Sequence, residues 1–261
     1  MIIVELTGIP GAGKTTLTTM LVTALENQGL EVLDPETLIL TNYRIPNLHK
    51  NAPRTMLVDL LLSRWAMRGL RDSEIRQMVF LGIRQIWASP NSKLISLNLI
   101  RNFIKKIGID CFIRQYKQPR SRRVVIWDEG MIHSHQLVFV HTHSAPDRNC
   151  LKQFFNLVPT PDIIVGLRAS LADAQDALIQ RGSSWKLPGG QTRIGKTPSE
   201  IKQYLDHAEQ AFTSLVEHPR CESKILLLDR GETLSADRIV TQVMNLLSKR
   251  NSALEEPSPC H

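Results

Sequence analysis

Residues 2–16 read IIVELTGIPGAGKTT, and this stretch decides the fold. Ile2 to Leu6 is an apolar run that ends at a glycine, the pattern of a buried strand. Gly8-Ile9-Pro10-Gly11-Ala12-Gly13-Lys14-Thr15 then fits G-x-x-x-x-G-K-[ST] with no substitution. Glycines at these positions let successive backbone N–H groups converge on a phosphate. A helix beginning at Thr16 would place its positive end beneath the same anion. In this reading Lys14 reaches the β- and γ-phosphates, and the Thr15 hydroxyl is a ligand for Mg²⁺. An intact motif in strand–loop–helix order is far more specific than a glycine-rich turn that happens to hold a lysine.

The second strong signal lies at Val124-Val125-Ile126-Trp127-Asp128-Glu129-Gly130, an apolar strand that ends in two acids. Downstream of a phosphate loop, such a strand supplies a carboxylate to Mg²⁺, directly or through water. Asp128 is assigned that role, with Glu129 assisting the metal or contacting substrate. An earlier short strand, Glu31 to Asp34, leads into Asp34-Pro35-Glu36-Thr37. Ligands of open parallel sheets collect beyond the carboxyl ends of the strands, so Asp34 or Glu36 is placed to orient a substrate hydroxyl and take its proton. The plainer alternative is that Asp34 and Pro35 end a strand and Glu36 begins a helix.

The totals bound the rest. A chain of 261 residues, 42% hydrophobic, can build one sizeable core. Four scattered cysteines without a C-x-x-C pair argue against a zinc knuckle and a disulfide framework. No run is long enough to span a membrane and none resembles a signal peptide, so a cytoplasmic protein is expected. The net charge of +7 suits anionic ligands and does not choose between nucleotides and nucleic acid. The densest basic cluster, residues 114–123 (RQYKQPRSRR), precedes a strand and so belongs at the amino end of the sheet, away from the phosphate loop. It is read as a solvated face, with nucleic acid a partner not favoured.

Other segments carry weaker signals. Residues 39–52 read as a polar loop, with Tyr43, Arg44, His49 and Lys50 suited to an anionic or aromatic substrate. From about Pro53 to Ile109 apolar residues recur at helical spacing, which predicts a helical, substrate-side excursion over about 39–115. Arg84 is the arginine of that excursion assigned to the cleft. His133, His135, His141 and His143 fall close together without a metal-binding spacing, and are read as cleft or surface histidines. Further strands are predicted at 162–168 and 224–229, and helices at 170–181, 198–217 and 235–248, with a frayed tail at 251–261.

Taken in this order, the motifs GIPGAGKTT, VVIWDEG and ALIQRG resemble the nucleoside and nucleoside-monophosphate kinases, most closely the thymidylate-kinase-like group, over about residues 1–250. The resemblance implies one P-loop kinase-like domain with a five-stranded parallel sheet in the order 2-3-1-4-5, flanked by helices in three layers. It implies ATP with Mg²⁺, and a lid over about 181–197 in which Arg181 contacts the phosphates, helped by Arg193 or Lys186. It also implies an adenine border at 229–233 and an acceptor-orienting acid at Asp34 or Glu36. A small-molecule acceptor is the expected partner, and a homodimer is compatible with such a fold. Asp128-Glu129-Gly130 departs from the Asp-Arg and Glu-Arg-Ser patterns of those kinases, so the resemblance does not place the arginines that read the acceptor. The rival readings are a nucleic-acid-stimulated ATPase, a polynucleotide 5′-kinase and a nucleotide-binding regulator without turnover. No N-K-x-D element supports a GTPase.

Overall fold

The computed structural model describes residues 1–44, 52–117, 121–181, 194, 197–230 and 235–255. Its centre is a parallel sheet in the order β2-β3-β1-β4-β5. The strands are β1 (Ile2–Gly8), β2 (Glu31–Leu33), β3 (Arg123–Asp128), β4 (Ile163–Arg168) and β5 (Ile225–Asp229). This is the α/β architecture and strand order expected, and it is that of the P-loop NTPases. Every residue of β1 is buried, because the strand pairs with β3 on one side and β4 on the other while helices cover both faces. The register sets Leu6 beside Asp128, so the last residue of β3 lies level with the start of the phosphate loop.

Helix α1 (Lys14–Asn27) begins two residues earlier than its sequence pattern suggests and packs on α11 (Ser235–Glu255), which continues past Ser248. Among the described residues four helices separate β2 from β3: α2 (Pro35–Asn42), α3 (Ala52–Gly69), α4 (Ser73–Ala88) and α5 (Lys93–Gln115). Residues 39–42, expected in a loop, complete α2, and their Leu38–Leu40 neighbourhood is buried. The starts of α4 and α5 are set by side-chain caps, Asp72 and Ser92 respectively. Helices α6 (Ser134–Phe139) and α7 (Arg148–Leu157) follow β3, and α8 (Leu171–Arg181) follows β4. For α8 the Ser170 hydroxyl accepts from the Asp173 N–H, which makes Ser170 the cap. Helix α9 (Pro198–Val216) opens on a full capping box between Thr197 and Glu200, and the short α10 (Pro219–Glu222) leads to β5.

The excursion is held together by the close approach of α3 and α5. A side-chain carbon at Gly108 would lie 2.1 Å from the Leu62 carbonyl oxygen, so only glycine allows this spacing. Gly108→Ala is therefore expected to push α3 away from α5 and to lower the denaturation midpoint by about 1–3 kcal/mol of stability. A midpoint within error of wild type would show that the helices separate freely.

The basic stretch proves to be tied down by acids. Arg114 pairs with Asp110 one turn back on α5, and two partners are distant in sequence: Asp162 for Lys117 at 2.8 Å and Glu31 for Arg123 at 2.6 Å. Tyr116 packs against Phe112 and Trp65. These residues join β2, β3, β4 and α5 at the amino end of the sheet.

Candidate functional site

The glycines of the loop adopt backbone angles that other residues rarely do: φ is +86° at Gly11 and +97° at Gly13. Gly13 caps α1 with no side-chain hydrogen bond, so the first N–H groups of the helix face the loop without a side-chain acceptor from the cap. Lys14 is buried and lies across the loop. Its ammonium donates to the carbonyl oxygens of Gly8 at 3.1 Å and Ile9 at 3.3 Å, and sits 3.6 Å from a Glu129 carboxylate oxygen. Burial pushes its pKa down, against the opposing pull of Glu129 and Asp128. A polyanion delivered to this loop would therefore meet a desolvated cation and free helix-end amides.

Asp128 ends β3 beside the loop and shares a hydrogen bond with the Thr15 side chain. Burial, reinforced by the charge of Glu129, raises its pKa, and its Oδ1 is buried with no hydrogen-bond partner. An orphaned carboxylate oxygen next to a hydroxyl is the donor chemistry that suits a hard cation such as Mg²⁺. Among the described residues no three His, Cys, Asp or Glu side chains gather as a metal cluster, so any ion here would draw its other ligands from water or phosphate.

Glu129 adopts φ +60°, a left-handed conformation that costs a residue with a Cβ about 1–2 kcal/mol. The bend turns its half-exposed carboxylate toward Lys14 and, at 3.5 Å, toward His133 Nε2. His133 Nδ1 is 3.1 Å from the Thr7 hydroxyl, and its backbone N–H donates to Glu5 at 2.8 Å. Gln136 donates to the Gly8 carbonyl at 3.0 Å and so braces the loop from beneath. Arg181, the last residue of α8, lines the small cavity over the loop together with Gly13, Lys14, Thr15 and Glu129. Arg193, Lys186 and most of the proposed lid lie outside the described residues, as do 231–233 of the adenine border.

A second, larger cavity of about 280 Å³ adjoins the loop. It runs along Thr18, Asp34, Glu36, Lys105 and Asp128, with apolar walls from α2, α3, α5 and β3. Asp34 and Glu36 thus share one cavity with the end of β3, but Asp34 also has a structural task. It caps α2, accepting from the Thr37 N–H at 3.0 Å and the Thr37 hydroxyl at 2.5 Å. Glu36 lines the cavity from the first turn of the same helix, half-buried.

Three readings need correction. Tyr43 belongs to the helical excursion: its hydroxyl accepts from Trp65 Nε1 at 2.7 Å and its ring stacks on Phe112. Arg84 lines a different pocket, with Gln77 and Gln153, between α4 and α7. Of the histidines read as cleft or surface, His135 and His141 are buried away from the surface, whereas His133 is buried beside Glu129 and His143 is exposed. Gln136, Lys105 and Glu5 went unread. For Glu5 a signal existed, a carboxylate in an otherwise apolar strand.

Strand order and the flanking helices together match the P-loop NTPase architecture. Among solved structures, the thymidylate kinase of Candida albicans is similar, at 14% identity and a TM-score of 0.47, over 96% of this chain and 92% of that one. No protein-family model and no curated protein matches the sequence. No helix among the described residues is long and apolar enough to cross a membrane.

Proposed function

We propose that the chain is a cytoplasmic ATP- and Mg²⁺-dependent phosphotransferase that acts on a hydroxyl or phosphate of a small molecule, with a nucleoside or nucleotide as the leading acceptor. The observation that carries this reading is the cavity of about 280 Å³ that opens beside Asp128 and reaches Asp34 and Glu36. A nucleotide hydrolase needs room only for water, whereas this volume lies close to the lower end of small-ligand pockets, roughly 300 Å³.

Phosphoryl transfer asks for charge neutralisation, alignment and exclusion of water. Loop amides and Lys14 hold the β- and γ-phosphates, and Arg181 approaches them from the end of α8, with Arg193 as a helper from the lid. Thr15 and Asp128 would hold Mg²⁺, with Glu129 assisting. Bound there, the ion would supply positive charge to the phosphate oxygens. Asp34 or Glu36 orients the acceptor.

An ADP-release screen over nucleosides, nucleotides, sugars and 5′-hydroxyl oligonucleotides tests the reading, with Lys14→Ala as background. At least one small molecule is expected to raise ADP release well above that background. Release stimulated by oligonucleotides alone would replace the proposal with a polynucleotide kinase, and no stimulated release would end it.

A further inference from the structure

The cavity over the phosphate loop measures about 30 Å³, close to the space one water molecule takes up in the liquid. A phosphate group is larger and enters only if part of the lining gives way. That lining is the loop itself, Lys14 included, together with Glu129 and Arg181. Lys14 and Arg181 carry the charge that draws a phosphate in. Glu129 carries the charge that opposes one, and its half-exposed side chain has room to move.

Glu129 Oε1 lies 3.6 Å from Lys14 Nζ and 3.5 Å from His133 Nε2. Burial lowers the pKa of Lys14 and raises that of Asp128; the Glu129 charge opposes the first shift and adds to the second. A phosphate arriving here therefore competes with Glu129 for Lys14, like charge against like charge. A divalent cation that arrives with the phosphate changes this balance. Glu129 directly follows Asp128, so a cation at Thr15 and Asp128 offers its carboxylate a partner other than Lys14 and offsets the repulsion. Such a built-in repulsion is how a site rejects one of two similar ligands.

Building on the reading of this loop as a nucleotide site, we propose that Glu129 is a specificity-determining residue that makes the loop select metal-bound nucleotide over free nucleotide. Its carboxylate holds Lys14 and narrows the phosphate cavity. Nucleotide with a divalent cation draws that carboxylate aside, and nucleotide without one does not.

Calorimetric titration with ATP, in Mg²⁺ and in EDTA, tests the proposal on the wild type, Glu129→Gln and Glu129→Gly. The glycine variant suits the left-handed backbone at this position, φ +60°, and guards against a folding defect. The wild type is expected to bind MgATP about tenfold or more tighter than ATP in EDTA. Both variants should bind ATP in EDTA about tenfold tighter than the wild type does, so that their preference for MgATP shrinks. Variants that bind ATP in EDTA no better than the wild type would overturn the proposal, whether or not they lose affinity for MgATP, and would leave the nucleotide-loop reading standing. So would a wild type that binds ATP equally well in both conditions. Heats no greater than those of Lys14→Ala, for wild type and variants in both conditions, would overturn the loop reading as well.

Discussion

Lys14→Ala is expected to lower phosphoryl transfer by on the order of 10²–10³-fold, the loss typical of removing one fixed electrostatic stabiliser, while the protein stays folded. Folding should survive because the carbonyls that Lys14 contacts have other donors. Gly8 O also accepts from Gln136 at 3.0 Å, and Ile9 O from the Ala12 N–H at 3.2 Å. The ammonium is itself disfavoured by burial, so its removal relieves a desolvated charge rather than exposing one. Glu129, left without Lys14, is half-exposed and can be hydrated. The identity of the acceptor does not limit the measurement. MgATP should raise the melting temperature of the wild type by linkage, and that shift should largely vanish in Lys14→Ala. Lys14→Arg should not restore it, since a planar guanidinium does not fit a slot shaped for a compact ammonium. An undiminished MgATP shift in Lys14→Ala would mean that nucleotide binds without this lysine and that the loop has been misread.

The phosphate-loop half of this site was legible because its sequence signal is local. G-x-x-x-x-G-K-T needs only consecutive residues, and the strand before it and helix after it follow from short-range pattern. The pairing of Asp128 with Thr15 was reachable too, as each motif marks the carboxyl end of a strand. Strand order was not contained in any spacing and came through resemblance to known kinases. What stayed hidden depends on partners far apart in sequence. The cluster 114–123 reads as a solvated charge run until Asp162 and Glu31 are brought to it. His135 reads as an ordinary histidine until Phe155 and the core close around it. Asp34 carried two readings, a substrate-orienting acid or the end of a strand, and its hydrogen bonds to Thr37 reveal a task in neither, the cap of α2. Glu5 was passed over for the opposite reason: one acid inside IIVEL looked like part of an apolar strand, although buried positions rarely tolerate it.

Glu5 also leads to the second large effect, a stability profile that changes shape in Glu5→Gln. The carboxyl is buried at the centre of β1, where it accepts from the N–H groups of Ile132 and His133, with Lys106 and Asp110 acting on it by charge. Burial outweighs these hydrogen bonds and pushes its pKa from 4.5 to about 7. The unfolded chain ionises first as pH rises, so the stability Glu5 contributes is fully present below pH 4.5 and is lost as pH climbs through 7. His135 has the reverse profile. Its Nδ1 donates to the Ile132 carbonyl at 2.7 Å, its Nε2 has no partner, and burial lowers its pKa from 6.5 to about 4. Its contribution is present above pH 6.5 and is lost as pH falls through 4. The two slopes oppose each other between about pH 4.5 and 6.5 and nearly cancel in the wild type. Glu5→Gln keeps an acceptor for the two N–H groups and removes the ionisation, so the His135 slope is left uncovered. Urea midpoints of this variant should fall as pH is lowered from 6.5 to 4, by about 1 kcal/mol of stability per pH unit. At pH 7 and above the variant should match or exceed the wild type, which there bears the cost of a buried carboxylate. If wild type and Glu5→Gln gave parallel curves across this range, Glu5 would have to ionise in the folded protein as it does in the unfolded chain.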